Sequence, residues 1–247
     1  MTSNKTRDTN DVGFLADYAG MGLEDMKGSA VSVPYLTMVQ PGSQATLDGV
    51  PAGHWRNSAT GEDYGEQIAL IVLDFKMIWA ERSDDPNQLT VARYMPNSIP
   101  VEYKQPPKGK RGFPKMINPD SGNEIQEQFM YVVALPEHPE AGYLLFNPAV
   151  GNMKVCRSWN SRMQGQLIEG PNGAMKAPAF ASVWIVGLQM VPNPQKPADK
   201  IARFVVIDRK GFIEEGTFAT LVKPMLEAAK GEIQALTSSG EQAAIEE

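Results

Sequence analysis

The sequence predicts a mainly β domain with a few helices, a sandwich or barrel carrying long insertions. Three observations point there. The extended segments are short, rich in β-branched and aromatic residues, and separated by Gly- and Pro-rich connections. Only two stretches carry a helical period. The chain has 247 residues, 42% hydrophobic and 21% charged, which suits one large domain with an ordinary core.

Residues 1–28 hold no strong period and read as a flexible arm. Residues 29–236 read as one β-rich domain, and 237–247 as a flexible acidic tail. Within the domain, Val33, Tyr35, Thr37 and Val39 share one face of a first strand, which the turn Pro41-Gly42-Ser43 ends. Residues 49–65 look like a loop of Gly, Pro, Asn, Ser and Thr. The run Gln67 to Trp79 predicts a central strand buried on both faces. Leu89 to Tyr94 predicts another short strand, and residues 96–123 a long Pro-, Gly- and Lys-rich connection.

Glu127 to Leu135 and Gly142 to Asn147 predict a hairpin turned over 136–141. Asn152 to Gln164 predicts a helix with Met153, Cys156, Trp159, Asn160 and Met163 on one arc. Lys154, Arg157 and Arg162 fall on its other face, and Gly165 follows as a stop. Ala179 to Met190 and Ile201 to Asp208 predict two further strands. From Phe218 to Leu236 the spacing is that of an amphipathic helix, which Pro224 kinks or restarts.

Several function classes find no support. The single cysteine, Cys156, allows no intrachain disulfide, and the polar N-terminus has no apolar targeting core. Both suggest a cytoplasmic protein. The longest apolar run, Ile68 to Phe75, is too short to span a bilayer. His54 and His138 lack a partner at ligand spacing, so no metal or other cofactor is expected. Cys156 sits on an apolar arc, as a core thiol does. Glu81, Asp84 and Asp85 are an acidic group of the kind a nuclease uses for cations, but a solvated turn explains them better. No catalytic residues are assigned, and a non-enzyme is expected.

Charge distribution is more telling than its sum of −6. Lys104, Lys108, Lys110, Arg111 and Lys115 lie within twelve residues without an acid, with Tyr103 and Phe113 beside them. Flexible cations that follow phosphates, next to rings that stack on bases, are what a sequence-tolerant single-strand binder uses. A solvated loop is the plain alternative. The cations Lys154, Arg157 and Arg162 add a second basic face, which a merely solvated helix also shows, and Trp55-Arg56 in a polar loop offers one more ring, with a ring packed over the barrel the equal alternative. From Glu227 onward there are five glutamates and one lysine, ending in Ile245-Glu246-Glu247. Such a tail can compete with DNA for a basic surface or hold a partner protein.

The segments Val33 to Gln40, Asn57 to Glu62, Arg157 to Ser161 and the strand Ala179 to Met190 resemble phage single-stranded DNA-binding proteins. The resemblance runs from about Val31 to Lys230. It implies an OB-like barrel with long insertions and a role in phage DNA replication or recombination. The acidic end is similar to the tails with which other phage single-strand binders recruit replication proteins. Binding residues are not carried over from the family. The alternative is a phage virion component or host-factor inhibitor that does not bind nucleic acid.

Overall fold

A computed structural model describes residues 34–82, 92–94, 99–100, 102–104, 115–148, 150–194 and 196–230. The arm, most of the basic loop and the acidic tail lie outside these residues. The strands are β1 Leu36–Met38, β2 Trp55–Asn57, β3 Asp63–Gly65, β4 Gln67–Arg82, β5 Ala92–Tyr94, β6 Glu102–Lys104, and β7 Lys115–Ile117. They continue with β8 Glu124–Ala134, β9 Tyr143–Phe146, β10 Leu167–Gly170, β11 Gly173–Lys176, β12 Ser182–Pro192 and β13 Lys200–Phe212. The helices are α1 Gln44–Leu47, α2 Met153–Gln164 and a C-terminal helix, α3, opening at Glu215–Thr217.

The protein is mainly β, built on a curled, half-barrel sheet. Across it the order β9-β8-β4-β12-β13 is antiparallel throughout, and α2 lies in the connection from β9 to β12. β7 and β6 extend the other end of β8, and β5 adds to the far end of β4.

The continuous apolar run of β4 has the expected reason. Leu70 and Val72 enter one core, while Ile71 and Leu73 enter another on the opposite face. A register shift between Val72 and Asp74 marks a bulge there, a device that bends a strand. The inner core is a ring cluster that α2 plugs with Cys156 and Trp159. The outer face is covered by Leu221, Val222 and Ala229 of the C-terminal helix. That helix passes through a π turn, Phe218–Val222, before Pro224, and continues over 223–230. A proline cannot donate an amide hydrogen bond to the preceding turn, which accounts for the wider turn ahead of it. Gly165 ends α2 in a right-handed conformation, φ −79°, so its freedom at positive φ is not used.

Residues 49–65, expected to be loop, contain β2 and β3. Trp55 is therefore no loop residue. It is fully buried, edge-on to Phe146 at 5.3 Å and Phe204 at 6.1 Å. Its neighbours in the sequence are polar, but pairing with β1 and β3 turns its ring inward.

The small sheet β1-β2-β3 seals the open side of the half-barrel. Tyr35 forms a parallel bridge to Leu145 of β9, and Leu145 N donates to Pro34 O at 2.9 Å. At the other end Gln40 acts like a strand toward β13. Its Nε2 donates to Ala202 O at 3.0 Å, and its Oε1 accepts from Ala202 N at 2.9 Å. Asn152 Oδ1 accepts from Phe204 N at 3.2 Å and covers the next stretch of the same edge. Gln40→Ala should cost about 2 kcal/mol, because two bonds are lost and a buried strand edge is left unpaired. Urea unfolding measures it, and an unchanged midpoint would show that the seal does not depend on this side chain.

Candidate nucleic-acid interface

Alternation along β8 sorts the candidate residues by face. Phe129 and Tyr131 point to the α2 core, and Met130 and Val132 to the outer face. Gln128 therefore shares the outer face with Met130. There it sits between the Asn147 amide, 3.0 Å away, and the Arg82 guanidinium. With its oxygen turned to Arg82 it accepts from Nη2 at 2.6 Å. Beside this polar group opens a cavity of about 420 Å³, whose lining includes Tyr35, Thr37, Met38, Gln40, Arg82 and Asn147. Its size falls in the range of small-molecule sites. The cavity offers amide and guanidinium donors beside an aromatic ring.

The basic residues divide between the two faces. Lys115, exposed at the start of β7, pairs with Glu124 of β8. Arg157 of α2 pairs with Glu127 of β8 at 2.9 Å. Glu124 and Glu127 are three residues apart on an unbroken stretch of ladder, so they point to opposite faces. Lys115 and Arg157 thus meet the same strand from opposite sides. Arg162 lies over the Trp184 ring, 5.0 Å from its centroid. Lys154 is exposed and has no acidic partner among the described residues.

Arg56 is half-buried in β2, where it donates to Gly61 O at 3.3 Å and Asp48 Oδ2 at 3.4 Å. These contacts hold a turn. Tyr103 and Lys104 lie in β6. Lys108, Lys110, Arg111, Phe113, Ile245, Glu246 and Glu247 lie outside the described residues.

The acidic group considered for cations is taken apart. Asp84 and Asp85 lie outside the described residues. Glu81 is buried, and its two oxygens are shared among Tyr94 Oη, Asn118 Nδ2, Ser121 Oγ and Asn123 Nδ2. Burial alone would raise its pKa, but hydrogen bonds from Ser121, Tyr94, Asn118 and Asn123 outweigh it and hold the carboxyl at about 2. This carboxylate fastens β4 to the turn before β8. The Cys156 thiol is buried, and burial pushes its pKa up to about 11, the opposite of an activated nucleophile.

Sequence reasoning passed over Tyr35, Arg82, Gln128 and Asn147. No motif joins them, because they come from four separate segments. The family model for Pam3 phage gp34-like protein matches residues 4–232. The chain belongs to this phage protein family. No curated protein and no solved structure matches it. Among the described residues no helix is long and apolar enough to cross a membrane.

Proposed function

We propose that the chain is a phage single-stranded DNA-binding protein built on an OB-like barrel, acting without strong sequence preference in replication or recombination. The observation that carries this is where the basic stretch falls in the strand order. β4, β8 and β9, then a helix, then β12 and β13 follow the succession of an OB barrel. In such barrels the face of the second and third strands and the first-to-second connection hold oligonucleotides. Here that connection is 83–123, and it carries the run from Lys104 to Lys115. The second strand carries Gln128, which is bonded to Asn147 of the cavity lining, and the third strand leads to Asn147 itself. On this reading the loop cations follow phosphates, while the cavity takes a base against Tyr35.

Fluorescence anisotropy of labelled oligo-dT, at low and moderate salt, tests the reading. Tight binding at low salt that weakens steeply with added salt is expected. Absence of binding at low salt would remove the proposal. Replacing Lys108, Lys110 and Arg111 together by alanine should weaken binding and reduce the slope of log K against log salt by about 2. An unchanged slope would place the site elsewhere. Removing residues 238–247 should leave binding intact or tighten it, with Ile245, Glu246 and Glu247 kept for a phage replication protein. The bound DNA stays uncut in magnesium, since the proposed role is not enzymatic.

One observation favours a second reading, a phage interaction module that does not bind nucleic acid. Among the described residues the hairpin β10–β11 pairs only with itself, and it exposes Leu167 and Met175. The same titration separates the two.

A further inference from the structure

Away from the cavity, two turns distant in sequence bring three metal-ligating side chains together. Glu62 ends the turn between β2 and β3. His138 and Glu140 flank Pro139 in the turn between β8 and β9. One ligand atom from each, two carboxylate oxygens and His138 Nδ1, lie within 4.8 Å of one another. Nδ1 is 3.7 Å from Glu62 Oε1 and 3.4 Å from Glu140 Oε1. Those separations are long for charge-assisted hydrogen bonds. They match the edge of a tetrahedron of ligands around an ion bonded at about 2.1 Å, which is about 3.4 Å.

The turn that carries Glu62 and the ring of His138 are held by their surroundings. Asn57 Oδ1 accepts from the amides of Ala59 and Thr60 at 2.9 and 3.3 Å, and Gly61 supplies the positive φ of +77° that brings the chain round to Glu62. The imidazole of His138 packs against the buried ring of Tyr64, with centroids 4.6 Å apart. The phenol of Tyr64 accepts from Asn57 Nδ2 at 3.2 Å. Glu62 and Glu140 are exposed, which leaves a path from solvent.

We propose that Glu62, His138 and Glu140 form a site for a divalent cation of the zinc class, its remaining position open to water. One imidazole with two carboxylates suits zinc or manganese better than magnesium, which favours all-oxygen shells. The ion would tie the β2–β3 turn to the β8–β9 turn and neutralise two carboxylates that now share one imidazole. The site stands independently of any role in DNA binding.

Isothermal titration of the chelator-treated full chain with zinc chloride, with thermal unfolding in parallel, is the test. Saturable one-to-one binding with a raised melting temperature is expected. His138→Ala and Glu140→Gln should each abolish both signals, while His54→Ala, whose ring pairs instead with Asp63, should keep them. Glu140→Gln alters only an exposed side chain, so it decides the matter should His138→Ala fold poorly. Absence of one-to-one binding, or full binding by Glu140→Gln, would overturn the site. Magnesium binding as tightly as zinc would overturn the assigned class of ion.

Discussion

Trp159→Ala is expected to destabilise the protein by about 3–5 kcal/mol, a large share of what holds a domain folded. Trp159 is fully buried on α2 and is the ring through which the helix plugs the half-barrel. It lies 4.9 Å from Tyr131 of β8, 6.0 Å from Trp184 of β12 and 5.5 Å from Phe204 of β13. Its loss empties the place where three strands converge, and close packing allows only partial collapse around the void. Polar links of α2 to the sheet, such as Tyr131 Oη to Asn160 Oδ1 at 2.9 Å, cannot replace that contact. Denaturant unfolding gives the value directly. Trp159→Phe should recover much of the loss by keeping a ring in place. If the alanine variant unfolds at the wild-type midpoint, α2 is a passenger and the sheet is stable without its plug.

This helix was legible because its signal is local. One arc at 100° per residue is apolar, and Cys156 and Trp159 are the residues that become buried. β4 was legible for the same reason, since a continuous apolar run needs both faces covered. The loop expected around Trp55 fails because the burial of its ring has no local cause. It lies in a three-residue strand among polar neighbours, and β1, Phe146 and Phe204 enclose it. Gln40 gave no signal either, because its partner Ala202 is 162 residues away. The candidate cavity and the Glu62, His138 and Glu140 group share this property. Each joins residues from separate turns or strands, so spacing along the chain carried no trace of them. The basic run from Lys104 to Lys115 was visible by composition alone. Its place between the first two strands of the proposed barrel became visible only with the strand order.

The second large effect concerns acid. Glu81 has an ordinary pKa of 4.5 when solvated and about 2 in the folded protein. The unfolded chain therefore binds a proton more readily than the folded one between these values. Stability from this group is fully present above about pH 4.5 and is lost as pH falls through about 2. The separation corresponds to about 3 kcal/mol. The chemical cause is plain in the bonding: four neutral donors face one buried carboxylate, and a protonated carboxyl cannot accept from all of them. Tyr94, one of the donors, is affected reciprocally. Burial, and then its bond to Glu81, pushes its phenol up to about 12. Glu81→Gln should therefore lower stability at pH 7 by about 3 kcal/mol, because an amide turns its own donors toward Asn118, Asn123, Ser121 and Tyr94. The variant should also lose the part of the wild-type acid dependence that falls between pH 4.5 and 2. Urea midpoints at pH 7, 4.5 and 3 for both proteins give the comparison. Parallel curves, with the variant shifted down by the same amount at every pH, would show that the carboxyl is not held ionised and that the turn before β8 is fastened to β4 by something else.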